Sequence, residues 1–356
     1  MSYRQDTDCT AMASRDHDNN FNFLRLLAAS MVIFAHAYDL RPDLGQQGFP
    51  ASTFGLGLGG LGVAIFFTLS GYLIFASLQR GTPPGRFARS RILRLFPALI
   101  ACSLVLGISL YPFSPLDLRH YITDPHLWRF MLGNASLFWN VQGIPGIFSG
   151  NPFPDAIDGS LWTLPYEALC YAVVASIFFA GAFRPALARY TFALGFLLYG
   201  LYWAGTQALG HPAGYWHRLD LLAGVSFSFA LGMLAAAIRL KTVRPWALAL
   251  AIGLGIAGHH TALAEASARL AIAAVTFFIA FSSTKLLLHL RRLPDYSYGI
   301  YIYAFPIQQG LIATHLELAP IPHACIALLL VLLPAALSWH LIEKPALALK
   351  NHPLFA

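Results

Sequence analysis

His36 lies inside a strongly apolar stretch, Phe23 to Leu40, with Arg25 eleven residues before it. On a helix eleven residues make almost three turns, so both side chains fall on one face, about 16 Å apart along the axis. An ionisable group held among lipid tails is costly, so this pair is read first as functional. Asp39, three residues after His36, either holds the imidazole in one tautomer or ends the helix in solvent. The segment Ser160-Leu-Trp-Thr-Leu-Pro-Tyr-Glu167 brings a carboxylate one to two turns into another apolar stretch, with Tyr171 one turn further on. A carboxylate there must be solvated, paired or protonated. A structural ion pair, the orienting of a catalytic histidine and a grip on a hydroxyl-bearing acceptor are the readings it allows.

Between Arg86 and Pro97 the sequence reads RFARSRILRLFP, which sets Arg91 and Arg94 one helical turn apart at the edge of an apolar stretch. Two guanidiniums on one face suit phosphate oxygens, and they equally suit topogenic charge or lipid headgroups. The segment from Gly62 to Ile74 is apolar except for Thr68, Ser70 and Tyr72. Its Ser70-Gly71 pair lets either a ligand or a neighbouring helix come close. The remaining histidines, His259-His260 among them, have no metal-ligand spacing, and no metal site is expected. Cys9, Cys102, Cys170 and Cys325 show no paired spacing, so they read as isolated small hydrophobes.

These residues need elements to hold them, and the composition says which. Of 356 residues 57% are hydrophobic and 11% charged, against a charged share of about 25% in soluble domains. A soluble fold is excluded in favour of an all-α polytopic transmembrane bundle. Ten spans are expected at about 22–40, 58–79, 92–111, 162–181, 190–209, 219–239, 245–260, 266–288, 297–316 and 322–342. The connection 112–161 is the longest and is rich in proline, glycine and aromatics. Leu127 to Asn140 within it is too short to cross easily, so a re-entrant or interfacial helix is expected there.

Ten spans put both termini on one side. With the termini and even-numbered loops on that side, eighteen of the 23 lysines and arginines lie there, and Arg41, Arg119, Arg129, Arg218 and Arg269 lie opposite. The bias predicts cytoplasmic termini. It also accounts for the net charge of +7 without nucleic acid, which is not an expected partner. The organisation read from this is a tail at 1–21, a membrane domain at 22–343 and a second tail at 344–356. No cleaved signal peptide and no separate soluble domain after the last span are expected.

Taken in order, the FLRLLAASMVIFAHA stretch with Arg25 and His36, FFTLSGYLI, the Arg91/Arg94 pair, SLWTLPYE, SYGIYIYAFP at 297–306 and LIEKP at 341–345 resemble the integral membrane acyltransferases of acyltransferase family 3. The family often has SLWSLSVE where this chain has SLWTLPYE, with Glu167 kept. The variant resembles stand-alone members that modify polysaccharides. The resemblance implies an O-acyltransferase of the bacterial inner membrane moving an acyl group, usually acetyl from acetyl-CoA, to a hydroxyl of a carbohydrate such as an exopolysaccharide, an O-antigen or a lipid-linked glycan. It implies His36 and Glu167 as catalytic residues, and Arg25, Arg91 and Arg94, with Ser70 and Tyr72 of FFTLSGYLI, around the acyl-CoA. Acetyl-CoA is then a substrate, and no permanently bound cofactor is expected.

The elementary chemistry agrees. The phosphates of acetyl-CoA cannot enter lipid, so the basic cytoplasmic edge is their natural dock, with the pantetheine arm extending along the Arg25–His36 face. A neutral imidazole then acts as general base on the acceptor hydroxyl, or forms a covalent acyl-imidazole. A proton-coupled secondary transporter also uses intramembrane Arg, His and Glu, but it predicts internal repeats or paired broken helices, which the sequence lacks. A purely structural anchor gives no reason for the three ionisable groups.

Overall fold

The computed structural model describes residues 19–44, 56–137, 139, 141–209, 215–259, 261, 263–283 and 294–351. Cys9, His260, most of the N-terminal tail, the end of the 266–288 span and the last five residues lie outside them. Among the described residues every regular element is helical.

Among the described residues ten longer helices fall on the ten expected stretches. They are α1 (Phe21–Asp39), α2 (Leu58–Gln79), α3 (Pro84–Ser109), α6 (Thr163–Phe179), α7 (Ala188–Leu209), α8 (Tyr215–Ala237), α9 (Pro245–Gly258), α10 (Ala264–Ala280), α11 (Ser297–Ala313) and α12 (Pro320–Ser338). Six of the described helical segments are long and apolar enough to cross a membrane. The protein is a polytopic helical membrane protein.

Two boundaries differ from expectation in ways that matter. Helix α3 starts at Pro84, eight residues early, because a proline in the first turn gives up no needed hydrogen bond. All of RFARSRILRLFP is therefore helical, and Arg91 and Arg94 sit two to three turns inside α3. Helix α12 runs through a π-turn, Trp339–Glu343, into the short α13 (Lys344–Ala348), so the LIEKP segment continues the helix.

The described residues of the long connection are built into the fold. They form α4 (Leu118–Thr123) and α5 (Pro125–Ala135), each begun by an aspartate side chain accepting from a backbone N–H. On α5 Leu127, Phe130 and Met131 are buried while Trp128 and Leu132 are exposed, the division of a helix lying along a surface. The rest is tied to α11: Asn151 Nδ2 donates to Gln309 Oε1 at 2.7 Å, and Gln309 Nε2 donates to the carbonyls of Phe153 and Ala156. The chain thus enters α6 from a fixed cap.

Helix α2 is the centre of the bundle, packed on α1, α6, α8 and α10. Glycine makes this possible. A Cβ on Gly71 would sit 2.0 Å from the carbonyl oxygen of Phe229, and one on Gly62 would sit 2.6 Å from that of Ala28. Gly232 of α8 stands equally close to Thr68, so α2 and α8 meet backbone to backbone.

Candidate active site

Two cavities open between these helices, toward opposite ends of the bundle. The first has a volume of about 320 Å³, and its charged lining consists of Arg25, Arg80, Arg91, Arg94, Glu167 and Lys350. The second, of about 410 Å³, is lined by His36, Asp39, Trp162, His217, Asp220, Glu265 and Arg269 among others. Val63 and Tyr301 are the residues common to both linings. Every cation of the first cavity belongs to the ends assigned to the cytoplasm by charge, and Arg269 of the second belongs to the opposite set.

In the first cavity the arginines are built in by a carboxylate the motifs did not include. Arg25 Nη1 donates to Asp295 Oδ2 at 2.8 Å, and Arg94 Nη2 donates to the same oxygen at 2.7 Å. Ser297, at the start of α11, donates to Asp295 Oδ1. Burial by itself pushes the Asp295 carboxyl up, and the guanidiniums of Arg94 and Arg25 outweigh it, holding the group below the usual carboxylate range. Glu343 approaches Arg94 from the π-turn, its Oε2 at 3.9 Å, while its Oε1 accepts from Ser338. A π-turn re-aims one side chain without ending the helix, and here it turns the Glu of LIEKP toward α3.

Arg91 is held differently. Its Nε donates to Ser90 Oγ at 3.1 Å, and its guanidinium lies 5.9 Å from the ring centres of Phe87 and Tyr171. Among the described residues no carboxylate stands within ion-pair distance of it, so its charge faces the cavity with its donors largely unspent. Arg80 and Lys350 share this cavity, although nothing in their local sequence singles them out.

Glu167 Oε1 accepts from Ser70 Oγ at 3.0 Å and from Tyr171. It therefore stands with the arginines, while His36 lines the other cavity. Of the two readings of Ser70-Gly71, close helix approach is the one seen, at Gly71, where α8 comes in backbone to backbone, while Ser70 turns to Glu167. Tyr72 does not join the site. Two residues along a helix is a rotation of about 200°, so Ser70 and Tyr72 point apart. Tyr72 packs among Phe21, Phe277 and Phe281, with its hydroxyl 3.4 Å from the Leu240 carbonyl.

In the second cavity His36 Nδ1 approaches Asp39 Oδ2 at 3.4 Å, and Phe305 packs its ring edge-on at 5.1 Å. A proton on Nδ1 suits that neighbour, leaving the Nε2 lone pair for chemistry. Asp39 is 55% exposed, so it is both a solvated helix end and the imidazole's neighbour. Arg269, which reads as a topogenic charge, is buried. Its Nη2 donates to Glu265 at 2.6 Å and its Nη1 to Ser228 at 3.0 Å. Asp220 accepts from Tyr202 at 2.8 Å. Among the described residues no cluster suited to a metal ion is found, and the described cysteines are unpaired.

The family model described as an acyltransferase domain matches residues 18–340. An O-acetyl transferase of Shigella phage Sf6 is 30% identical over 344 residues, covering 92% of this chain and 95% of that protein. Nodulation protein 10 of Rhizobium leguminosarum bv. viciae is 32% identical over 369 residues, covering 95% of each. No solved structure matches.

Proposed function

This chain belongs to acyltransferase family 3 and is an acyl-transferring membrane enzyme, an O-acyltransferase, and from that we propose that it moves acetyl from acetyl-CoA to a hydroxyl of a cell-surface polysaccharide or its lipid-linked precursor. The observation that carries this reading is the pair of cavities of opposite character, back to back along the bundle. The similarity to the phage O-acetyl transferase supports acetyl as the group moved.

Phosphates of the donor are drawn to the cavity where the five cations Arg25, Arg80, Arg91, Arg94 and Lys350 outnumber the carboxylates Glu167, Asp295 and Glu343. Arg91 spends one donor on Ser90 and keeps the rest of its fork for a ligand, and Asp295 fixes Arg25 and Arg94 in place. Glu167 sits among them with Ser70 and Tyr171, so its role in this account is on the donor side. The acceptor enters the cavity of His36, where an aromatic ring, Trp162, and the polar side chains of Asp220 and Glu265 suit a sugar and repel a nucleotide.

His36 Nε2 takes the proton of the acceptor hydroxyl as its oxygen attacks the thioester carbonyl. The C–O bond forms, the C–S bond breaks, and the thiolate of CoA leaves and takes the proton back from the imidazolium. The products are an O-acetyl ester and free CoA. In this account the ten helices all cross the bacterial inner membrane with cytoplasmic termini, and acetylation happens on the far side.

Three measurements test it. Purified protein supplied with acetyl-CoA and lipid-linked glycan extracted from the host should release CoA, and release of none would sink the reading. Mass spectrometry of envelope glycans should find O-acetyl groups in the parent strain that a deletion strain lacks. Acetylated nucleotide-sugars accumulating in the cytoplasm would contradict the placement of the acceptor.

A further inference from the structure

We propose that Val63 and Tyr301 are the partition across which the acyl end of the donor reaches His36, and that the size of Val63 sets the length of acyl group transferred. The inference rests on the proposed function. Its basis is geometric: Arg25 and His36 open into different cavities, and the residues lining both are these two. A thioester whose phosphates stay with the arginines can meet the imidazole only by passing them.

The two sides of the partition differ in freedom. Tyr301 is pinned: its hydroxyl donates to the Ser160 carbonyl at 2.7 Å and lies 2.7 Å from Thr163 Oγ1. Its ring packs edge-on against Phe66 at 5.7 Å. The start of the SLWTLPYE segment therefore serves to hold this ring across the bundle. Val63 has no polar tether, and both residues are buried, at 8% and 7% exposure. A β-branched side chain in a helix keeps essentially one rotamer, so the passage this proposal requires beside Val63 has a fixed width. Such a gap distinguishes an acetyl group from a longer chain by simple exclusion.

The experiment uses purified full-length protein, acetyl-CoA and butyryl-CoA as donors, and lipid-linked glycan from a deletion strain as acceptor. Val63→Ala removes two methyl groups and should raise the butyryl-to-acetyl transfer ratio about tenfold or more, the scale on which a pocket senses one or two methylenes. Val63→Phe should leave the Kd for acetyl-CoA within about twofold and lower acetyl transfer by about 10²-fold, as expected when reacting groups are kept apart. Tyr301→Phe, which frees the ring, should lower kcat with KM for acetyl-CoA unchanged. An unchanged donor ratio in Val63→Ala overturns the proposal. So does a Val63→Phe protein that transfers at the wild-type rate, or one in which donor binding falls as much as transfer. If Val63→Phe does not fold, the Val63→Ala ratio and the Tyr301→Phe kinetics decide alone. Failure of the wild-type protein to consume acetyl-CoA would instead remove the proposed function, before any variant is compared.

Discussion

Arg25 and His36 share one helix and open into different cavities. The helix itself brings both groups to one face, and α2 and α11 then drive Val63 and Tyr301 between their surroundings. The consequence is a separation of charge along the bundle. Four arginines and a lysine outnumber Glu167, Asp295 and Glu343 at one end, and three carboxylates outnumber a single arginine at the other. A polyanionic donor is attracted to the first and repelled from the second, so only its uncharged arm is suited to travel.

Asp295 is expected to matter as much as any arginine it holds. Asp295→Asn leaves Arg25 and Arg94 without their shared carboxylate. Breaking a buried ion pair from one side costs about 3–5 kcal/mol. The variant should show a lower Tm and a KM for acetyl-CoA raised at least about tenfold, the equivalent of 1.4 kcal/mol. A thermal scan and a donor titration check both.

Arg91 and Arg94 should separate under mutation, although sequence spacing treats them alike. Arg94→Ala strips a partner from Asp295 and Glu343 and should lower Tm markedly. Arg91→Ala breaks no ion pair among the described residues and should leave Tm near the wild-type value. Its loss should weaken acetyl-CoA binding by about 10-fold to 100-fold if it meets phosphate through charge-assisted hydrogen bonds. Arg91→Lys should restore little, since an ammonium cannot make the two-pronged contact.

Much of this was legible in the sequence, and the reasons for the gaps are physical. The helices follow from apolar stretches of the right length, and Arg25, His36, Arg91 and Arg94 stand out because charge in such stretches is expensive. Asp295 does not stand out, because a loop carboxylate looks ordinary until a fold brings it to arginines 270 and 201 residues away. Arg269 looked topogenic for the same reason. Ser70 and Tyr72 look alike as polar breaks in one segment, and only the 200° rotation between them decides that one meets Glu167 and the other the Phe277 cluster. Val63 is one valine among many until two cavities are seen to share it.

The Ser70-Gly71 pair offers a test of that division. Gly71→Ala forces a Cβ against the Phe229 carbonyl, and overpacking of this kind typically costs about 1–3 kcal/mol. It should lower Tm and yield. Ser70→Ala should leave the fold intact and lower the transfer rate, because Glu167 loses a donor. Equal thermal stability of the two variants would contradict the assignment.

The topology rests on charge bias and can be tested without reference to activity. Cysteines placed at 82–85 should be shielded in whole cells from an impermeant thiol reagent, and cysteines at 112–120 should react. The opposite labelling would invert the bundle and move the arginine cavity to the wrong side for acetyl-CoA.

The most direct test is His36→Ala, assayed in purified protein for donor binding and transfer together. Donor binding should survive, since His36 does not line the arginine cavity. Transfer of acetyl to the lipid-linked glycan should fall by about 10²–10⁴-fold, the usual contribution of a positioned base. Near-normal transfer by a well-folded His36→Ala protein would contradict the account at its centre.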